Sequence, residues 1–414
     1  MAGTDTQVAI VGGGVVGCAV AHALARRGVQ VTVLEAESDL ALGASGANSG
    51  ILHTGFDSVP GALETGLILR SAVLREELLR ELDVPVWRCG ARLVARDADE
   101  RAAVARLVEN ARANAVEVRL DADGSLSVPG EALTDPVAFV RALADGARAR
   151  GADVRLGARV AGIVVVDEGL EIELAGGERL RARAGVNCAG LHADEVACMA
   201  GEAALEVYPR KGEFLVFAAP REEPLLEILL PVPSALGKGV LVFPTVDRAA
   251  VIAGPTARER TDKHDWSVEA DAEQLIRARA QRAYPPLERL ELLSAYAGLR
   301  PAGRDANYVI ERSHSMPALI HVAAIRSTGL SASLGIGEHV ASMLPDAGAI
   351  AIAIARDPTR PSRARPRAPR PGPSSDAVAS LHASAALGVP ASPERWWQRA
   401  ARRSRVTLSP SPAP

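Results

Sequence analysis

Two apolar periods open the chain. Val8 to Val11 form an unbroken apolar run, the pattern of a strand buried on both faces. Gly12, Gly14 and Gly17 interrupt it. Cys18, Ala21, Leu24 and Ala25 then recur at helical spacing, and a second apolar run, Val31 to Leu34, ends in Glu35. The sequence of patterns predicts a strand–helix–strand unit. Helical patterns follow over about 63–82, 99–116, 136–150, 268–284 and 331–344. Thr134 or Asp135 caps the third of these, with Pro136 in its first turn.

Between the helices the period changes to two. Residues 91–95 and 153–156 read as strands. VAGIVVVDE, GLEIELA and ERLRARAG alternate and are split by glycine turns, so they predict a β-meander. An apolar strand then ends in Val186-Asn187-Cys188. Strands dominate 205–315, and 319–325 is one more buried strand, after which Gly329 opens the last helix. The order predicts an α/β protein (α+β overall). Residues 1–85, 150–204 and 319–356 assemble a discontinuous Rossmann-like domain with its meander. Residues 86–149 and 205–318 insert a strand-rich second domain.

Composition changes past residue 357. Ten arginines stand against three acids there, among many Pro, Ser and Ala, and 357–414 reads as a disordered tail. ERWWQRAARRSR within it is a short helical pattern with two readings. One is a terminal helix packed on the protein. The other is a surface helix touching anionic lipid, a peripheral membrane contact. The whole chain, 414 residues with a formal net charge of −3, carries no excess of cations that would suggest nucleic acid. Neither a signal peptide nor an apolar run of membrane-spanning length is present, so a cytoplasmic protein is expected. Cys18, Cys89, Cys188 and Cys198 show no CxxC spacing and read as small buried residues. No metal site is expected.

The glycines carry the first chemistry. Gly12 allows a tight turn, Gly14 lets a pyrophosphate approach the backbone, and Gly17 lets helix and strand pack closely. The pyrophosphate would meet the free amides and positive end of the helix. Glu35 lies where an acid accepts hydrogen bonds from a ribose. This is a dinucleotide-binding pattern. After the second strand comes GASGANSGILHTG, a Gly/Ser/Asn-rich loop, where a nicotinamide enzyme would continue with regular βαβ units.

VAIVGGGVVGCAVAHALARRG, GASGANSGILHTG, VNCAGLHADEVA, YPRKGEFLVF, YAGLRP and IRSTGLSAS follow one another in that order. Together they resemble the D-amino-acid-oxidase superfamily of FAD-dependent oxidoreductases, in its glycerol-3-phosphate dehydrogenase-like branch near the L-2-hydroxyglutarate dehydrogenases. The resemblance spans 7 to about 345. It implies non-covalent FAD as cofactor, contacted by Ser45, Asn48 and Ser49 of the loop. Val160 begins the strand that would meet the adenine, and Ala189 and Gly190 form the second nucleotide turn. Gly329, Leu330 and Ser331 would present a helix amino terminus to the flavin. Relatives often have Lys at the position of Glu64 and Thr at that of Ser331. Longer relatives add a cysteine-rich carboxy-terminal domain; the tail here is basic and free of cysteine, so a built-in iron–sulfur relay is not expected.

Oxidising an alcohol on flavin needs a proton acceptor and cations for the substrate anion. His53, in the loop expected at the flavin, is the candidate base. The alternative is a histidine that only orders the loop. Arg300 of AGLRP is the candidate anion anchor, and a structural salt bridge is its alternative. Arg326 is a second cation. Lys211, one of three lysines, reads equally as a substrate ligand or as structure. The expected activity is FAD-dependent oxidation of a small anionic 2-hydroxy compound by hydride transfer, first glycerol 3-phosphate to dihydroxyacetone phosphate. L-2-hydroxyglutarate is the runner-up and an amine or amino acid the third. An electron-transfer subunit is the alternative of another class. Quinone, oxygen and a partner protein all fit as electron acceptor.

Overall fold

The strand Thr6–Val11 lies between two parallel neighbours, Val31–Leu34 and Arg179–Asn187, in an eight-stranded sheet. Val8, Ile10 and Val33 are wholly buried there, which accounts for their uninterrupted apolar runs. The computed structural model describes residues 5–167, 169–220, 222–233, 239–344 and 394–404. The predicted tail at 357–393 and 405–414, and the end of the first domain at 345–356, lie outside the described residues.

Arg179–Asn187 is one strand where the sequence reading separates two. Its first half pairs antiparallel with Gly169–Leu174 of the meander, and its last three residues pair parallel with Leu319–Ala323. The period switches from alternating to continuous mid-strand because burial changes from one face to two. Helices Val15–Ala25 and Gly329–Met343 pack together beside this sheet, and Leu63–Glu81 packs on the latter.

Two elements fall on the dinucleotide side of the molecule, against the predicted boundaries. Helix Pro136–Arg148, capped by Asp135 Oδ1 on the Val137 and Ala138 amides (2.8 and 2.9 Å), packs on Val15–Ala25. It leads into Asp153–Arg155, parallel to Val31–Leu34, and a parallel pair needs such a crossover. Strand Val309–Arg312 pairs with Leu319–Ala323.

The second sheet has nine strands. Its long pair, Val207–Ala218 and Leu292–Gly303, sets Arg210 opposite Arg300, Gly212 opposite Gly298 and Phe214 opposite Tyr296. Side chains alternate across a strand, so these six share one face. Lys211, Glu213, Leu215 and Phe217 point the other way, where helix Ala272–Ala283 covers part of the sheet. A small third sheet joins Ile51–Leu52, Ala132–Thr134 and Val86–Trp87. Among the described residues no helix is long and apolar enough to cross a membrane.

Candidate active site

A groove runs along the carboxyl ends of the parallel strands. Gly12, Gly14, Glu35, Ser45, Asn48, Val160, Ala189, Gly190, Arg326, Gly329 and Leu330 line it. Two glycines are required by close approach. Gly12 has φ +109°, and a Cβ there would sit 2.4 Å from the Cys188 carbonyl oxygen. A Cβ on Gly17 would sit 2.0 Å from the Gly12 carbonyl oxygen, so Gly17 lies under the turn and not in the groove. At Gly14 a Cβ would meet only the Ser45 hydroxyl, at 3.1 Å, and would fill the cradle in front of the helix. Ser45 Oγ accepts from the Val15 amide at 2.9 Å, and Glu35 Oε2 accepts from the Gly13 amide at 2.6 Å. An open backbone cradle at a helix start, with a carboxylate at the next strand end, fits a dinucleotide.

At the other end of the groove the loop turns inward. Asn48 Nδ2 reaches the Ser327 carbonyl at 3.5 Å, and its Oδ1 accepts from the Gly50 amide at 2.9 Å. Ser49 Oγ accepts from the Ile51 amide at 3.4 Å and does not line the groove. Ser331 also differs from expectation. Its hydroxyl is buried, accepts from the His53 amide at 2.8 Å and donates to the Ile51 carbonyl at 3.2 Å. It clamps the His53 backbone, and its side chain is not free for a cofactor.

His53 follows Ile51–Leu52, which pairs antiparallel with Ala132–Thr134, Leu52 opposite Ala132. That register carries His53 alongside Glu131. Glu131 is fully buried and accepts three bonds: from His53 Nδ1 (2.9 Å), from the Thr54 amide (2.7 Å) and from the Thr54 hydroxyl (2.9 Å). An ionised carboxylate only accepts, so Nδ1 carries the imidazole proton and Nε2 keeps its lone pair. Nε2 has no hydrogen-bond partner among the described residues. Arg75, buried behind the loop, donates to the His53 carbonyl at 2.9 Å, and burial lowers its pKa to about 10. Glu131 and Arg75 escape a reading of the sequence. Only the strand register brings Glu131 across 78 residues to the histidine.

Arg210 and Arg300 stand opposite each other on the long strand pair, and Arg326, which lines the groove, is near enough for its charge to act on Arg300. Arg300 lies across its neighbouring strand, Nε on the Arg210 carbonyl (3.0 Å) and Nη2 on the carbonyls of Lys211 (3.2 Å) and Thr256 (2.9 Å). Gly212 makes room, since a Cβ there would come within 2.9 Å of Nη2. Burial lowers the Arg300 pKa to about 10, and the charges of Arg210 and Arg326 add to the effect. Arg210 was not singled out by sequence, yet it stands directly opposite Arg300 and its side chain has no polar partner among the described residues. Arg326 is exposed, held through Nε by Asn307 Oδ1 at 2.9 Å. Asn307 in turn donates to Glu64 at 2.7 Å, and Glu64 also receives the Thr328 hydroxyl. Glu64 thus sets the position of Arg326 through Asn307. None of the three guanidiniums meets a carboxylate among the described residues. Like charges directly across a strand pair repel unless an anion bridges them.

Lys211 is not part of this cluster. One position along the strand from Arg210, it faces the opposite side, wholly buried, with Nζ 2.7 Å from Asp265 and 3.5 Å from Glu269. Burial raises the Asp265 pKa, but the bonds from Lys211 and Ser267 outweigh it and hold the carboxyl down to about 2. Residues 268–271, predicted helical, are instead loop and bring Glu269 to this network. The lysine thus meets its structural reading and not the substrate one. The terminal helix likewise packs on the protein and not on lipid, because Trp396 and Trp397 are each 5% exposed.

A family model described as FAD dependent oxidoreductase (DAO) matches residues 7–343. Glycerol 3-phosphate dehydrogenase of Caloramator mitchellensis is 31% identical over 354 residues, covering 82% of this chain and 73% of that protein. The mitochondrial L-2-hydroxyglutarate dehydrogenase of Arabidopsis thaliana is 26% identical, covering 80% and 82%. Among solved structures, dithionite-reduced L-α-glycerophosphate oxidase from Mycoplasma pneumoniae with FAD bound superposes with a TM-score of 0.78. Its identity is 27%, and the match covers 82% of this chain and 94% of that one.

Proposed function

The chain belongs to the DAO family of FAD-dependent oxidoreductases, and from that premise we propose that it oxidises the secondary alcohol of a small anion, glycerol 3-phosphate, to dihydroxyacetone phosphate. The observation that carries this reading is the set of Arg300, Arg210 and Arg326, none of which meets a carboxylate among the described residues. A phosphate dianion is the partner such a set selects, because guanidinium forks bind phosphate oxygens in pairs. FAD, when bound, supplies the two-electron acceptor. Arg300 and Arg326 bind and orient the phosphate. His53 Nε2 receives the hydroxyl proton, and Glu131 holds the tautomer that leaves this nitrogen basic. FAD is held without a covalent bond, since the loop's histidine keeps Nε2 for the substrate proton.

L-2-hydroxyglutarate, also a dianion, is the second reading, favoured by the Arabidopsis relative. Anaerobic mixing of the purified yellow protein with glycerol 3-phosphate, L-2-hydroxyglutarate, glycine and a set of amino acids tests the choice. Loss of flavin colour with glycerol 3-phosphate at the lowest concentration is expected. Bleaching by amino acids alone would overturn the alcohol reading. A chain that no compound bleaches without a second protein would be an electron-transfer subunit.

A further inference from the structure

Residues 394–404 lie beyond the segment that the family model matches, yet in the fold they return to the cofactor groove. Helix Trp396–Arg403 lays Trp396, Trp397 and Ala400 against the sheet face that carries Arg300. Trp396 meets Tyr296 edge-on, ring centroids 5.6 Å apart. Ser404 Oγ accepts the Ala297 amide at 2.9 Å, which satisfies a buried donor of the long strand. From the same helix Arg399 reaches the dinucleotide domain, donating to Asp39 (2.8 Å) and to the Leu40 carbonyl (3.0 Å). The helix therefore ties both domains together beside the groove.

Arg403 closes this helix and lines the groove with Gly14, Ser45 and Glu35. Its guanidinium lies 4.0 Å from the centroid of the Trp266 ring, a placement that fixes its plane. The nearest carboxylate oxygen, on Glu37, is 3.9 Å away, too far for a hydrogen bond. No described residue accepts from any of its five N–H groups. Meanwhile the Gly13 and Val15 amides, which open the diphosphate cradle, already have side-chain partners in Glu35 and Ser45. A fork of donors without hydrogen-bond partners, held against the Trp266 ring where it lines the dinucleotide groove, matches phosphate oxygens in charge and geometry.

We propose that Arg403 is a cofactor-binding residue: the carboxy-terminal helix closes the dinucleotide groove and offers its guanidinium to the adenosine diphosphate half of FAD. The inference rests on the FAD reading of the groove. The full-length protein, stripped of flavin, is titrated with FAD and separately with ADP, which carries the diphosphate and no flavin. Arg403→Gln should raise both dissociation constants by about tenfold or more. Arg403→Lys should recover part of the loss. Arg402→Gln, on the exposed side of the helix and paired with Glu394, should change neither. Melting of the flavin-free Arg403→Gln protein at the wild-type temperature would show that the helix is still docked. Unchanged FAD and ADP binding in Arg403→Gln would overturn the proposal. So would weaker binding that comes with a lower apoprotein melting temperature and no recovery in Arg403→Lys. Failure of the wild type to bind FAD at all would instead refute the functional reading, and is seen before any variant is made.

Discussion

Glu131→Gln changes one atom's chemistry and leaves the shape of the site intact. The Thr54 amide and hydroxyl, at 2.7 and 2.9 Å from Oε1, both donate and require an oxygen there. The new amide must therefore turn its NH₂ toward His53 Nδ1, 2.9 Å from the position of Oε2. Two donors cannot share that contact, so the imidazole moves its proton to Nε2 and ceases to be a base toward the substrate. Loss of a general base costs roughly 10²–10⁴ in rate, about 2.7–5.4 kcal/mol of barrier at about 1.36 kcal/mol per decade. Neither the groove nor the guanidiniums touch Glu131, so FAD affinity and half-saturation by substrate should hold. Anaerobic stopped-flow reduction of the bound flavin reads the rate of the chemical step directly. Adding His53→Gln to Glu131→Gln should slow it little further, because both act through one proton acceptor. Wild-type reduction rates in Glu131→Gln would refute the coupling of this carboxylate to the base.

Gly212→Ala brings a Cβ within 2.9 Å of Arg300 Nη2 and should displace the guanidinium; KM should rise roughly tenfold with FAD still bound, as steady-state assays would show. Lys211→Met removes the cation bonded to Asp265, while Glu269 keeps Arg258 and Arg260; chemical denaturation should find a loss of roughly 1–3 kcal/mol, while KM stays at the wild-type value. His22 gives a pH dependence of stability. Burial holds its pKa near 4, and its Nε2 has no partner. The unfolded chain protonates this residue near pH 6.5 and the folded chain does not, so its contribution is intact above about 6.5 and falls as pH drops toward 4. Up to roughly 3 kcal/mol is at stake, and urea unfolding of His22→Gln at pH 7.5 and 5 should show a smaller difference than the wild type.

What the sequence made legible is what has a local cause. Val8–Val11, Gly12, Gly17 and Glu35 declare a dinucleotide fold because each answers to its near neighbours or to a fixed period. The Asp135 cap is readable for the same reason. Long-range register is not. Glu131 reaches His53 only through the pairing of two short strands, and Arg210 joins Arg300 only through the pairing of two long ones. Lys211 shows the same limit from the other side. Its neighbour in sequence faces the site, and a shift of one residue turns it into a buried partner for Asp265. Helix Pro136–Arg148 and strand Val309–Arg312 join elements of the first sheet through long-range packing and pairing, which the composition around them does not declare.

In the proposed reaction a small anion is held by arginines while its hydroxyl carbon is oxidised on FAD. Anaerobic titration of the flavoprotein with glycerol 3-phosphate, beside glycerol, tests it most directly. Glycerol presents the same secondary alcohol without the anion. One equivalent of glycerol 3-phosphate should bleach one equivalent of flavin and yield one equivalent of dihydroxyacetone phosphate, with glycerol inert at the same concentration. Equal bleaching by glycerol, or bleaching without the ketone product, would contradict the account.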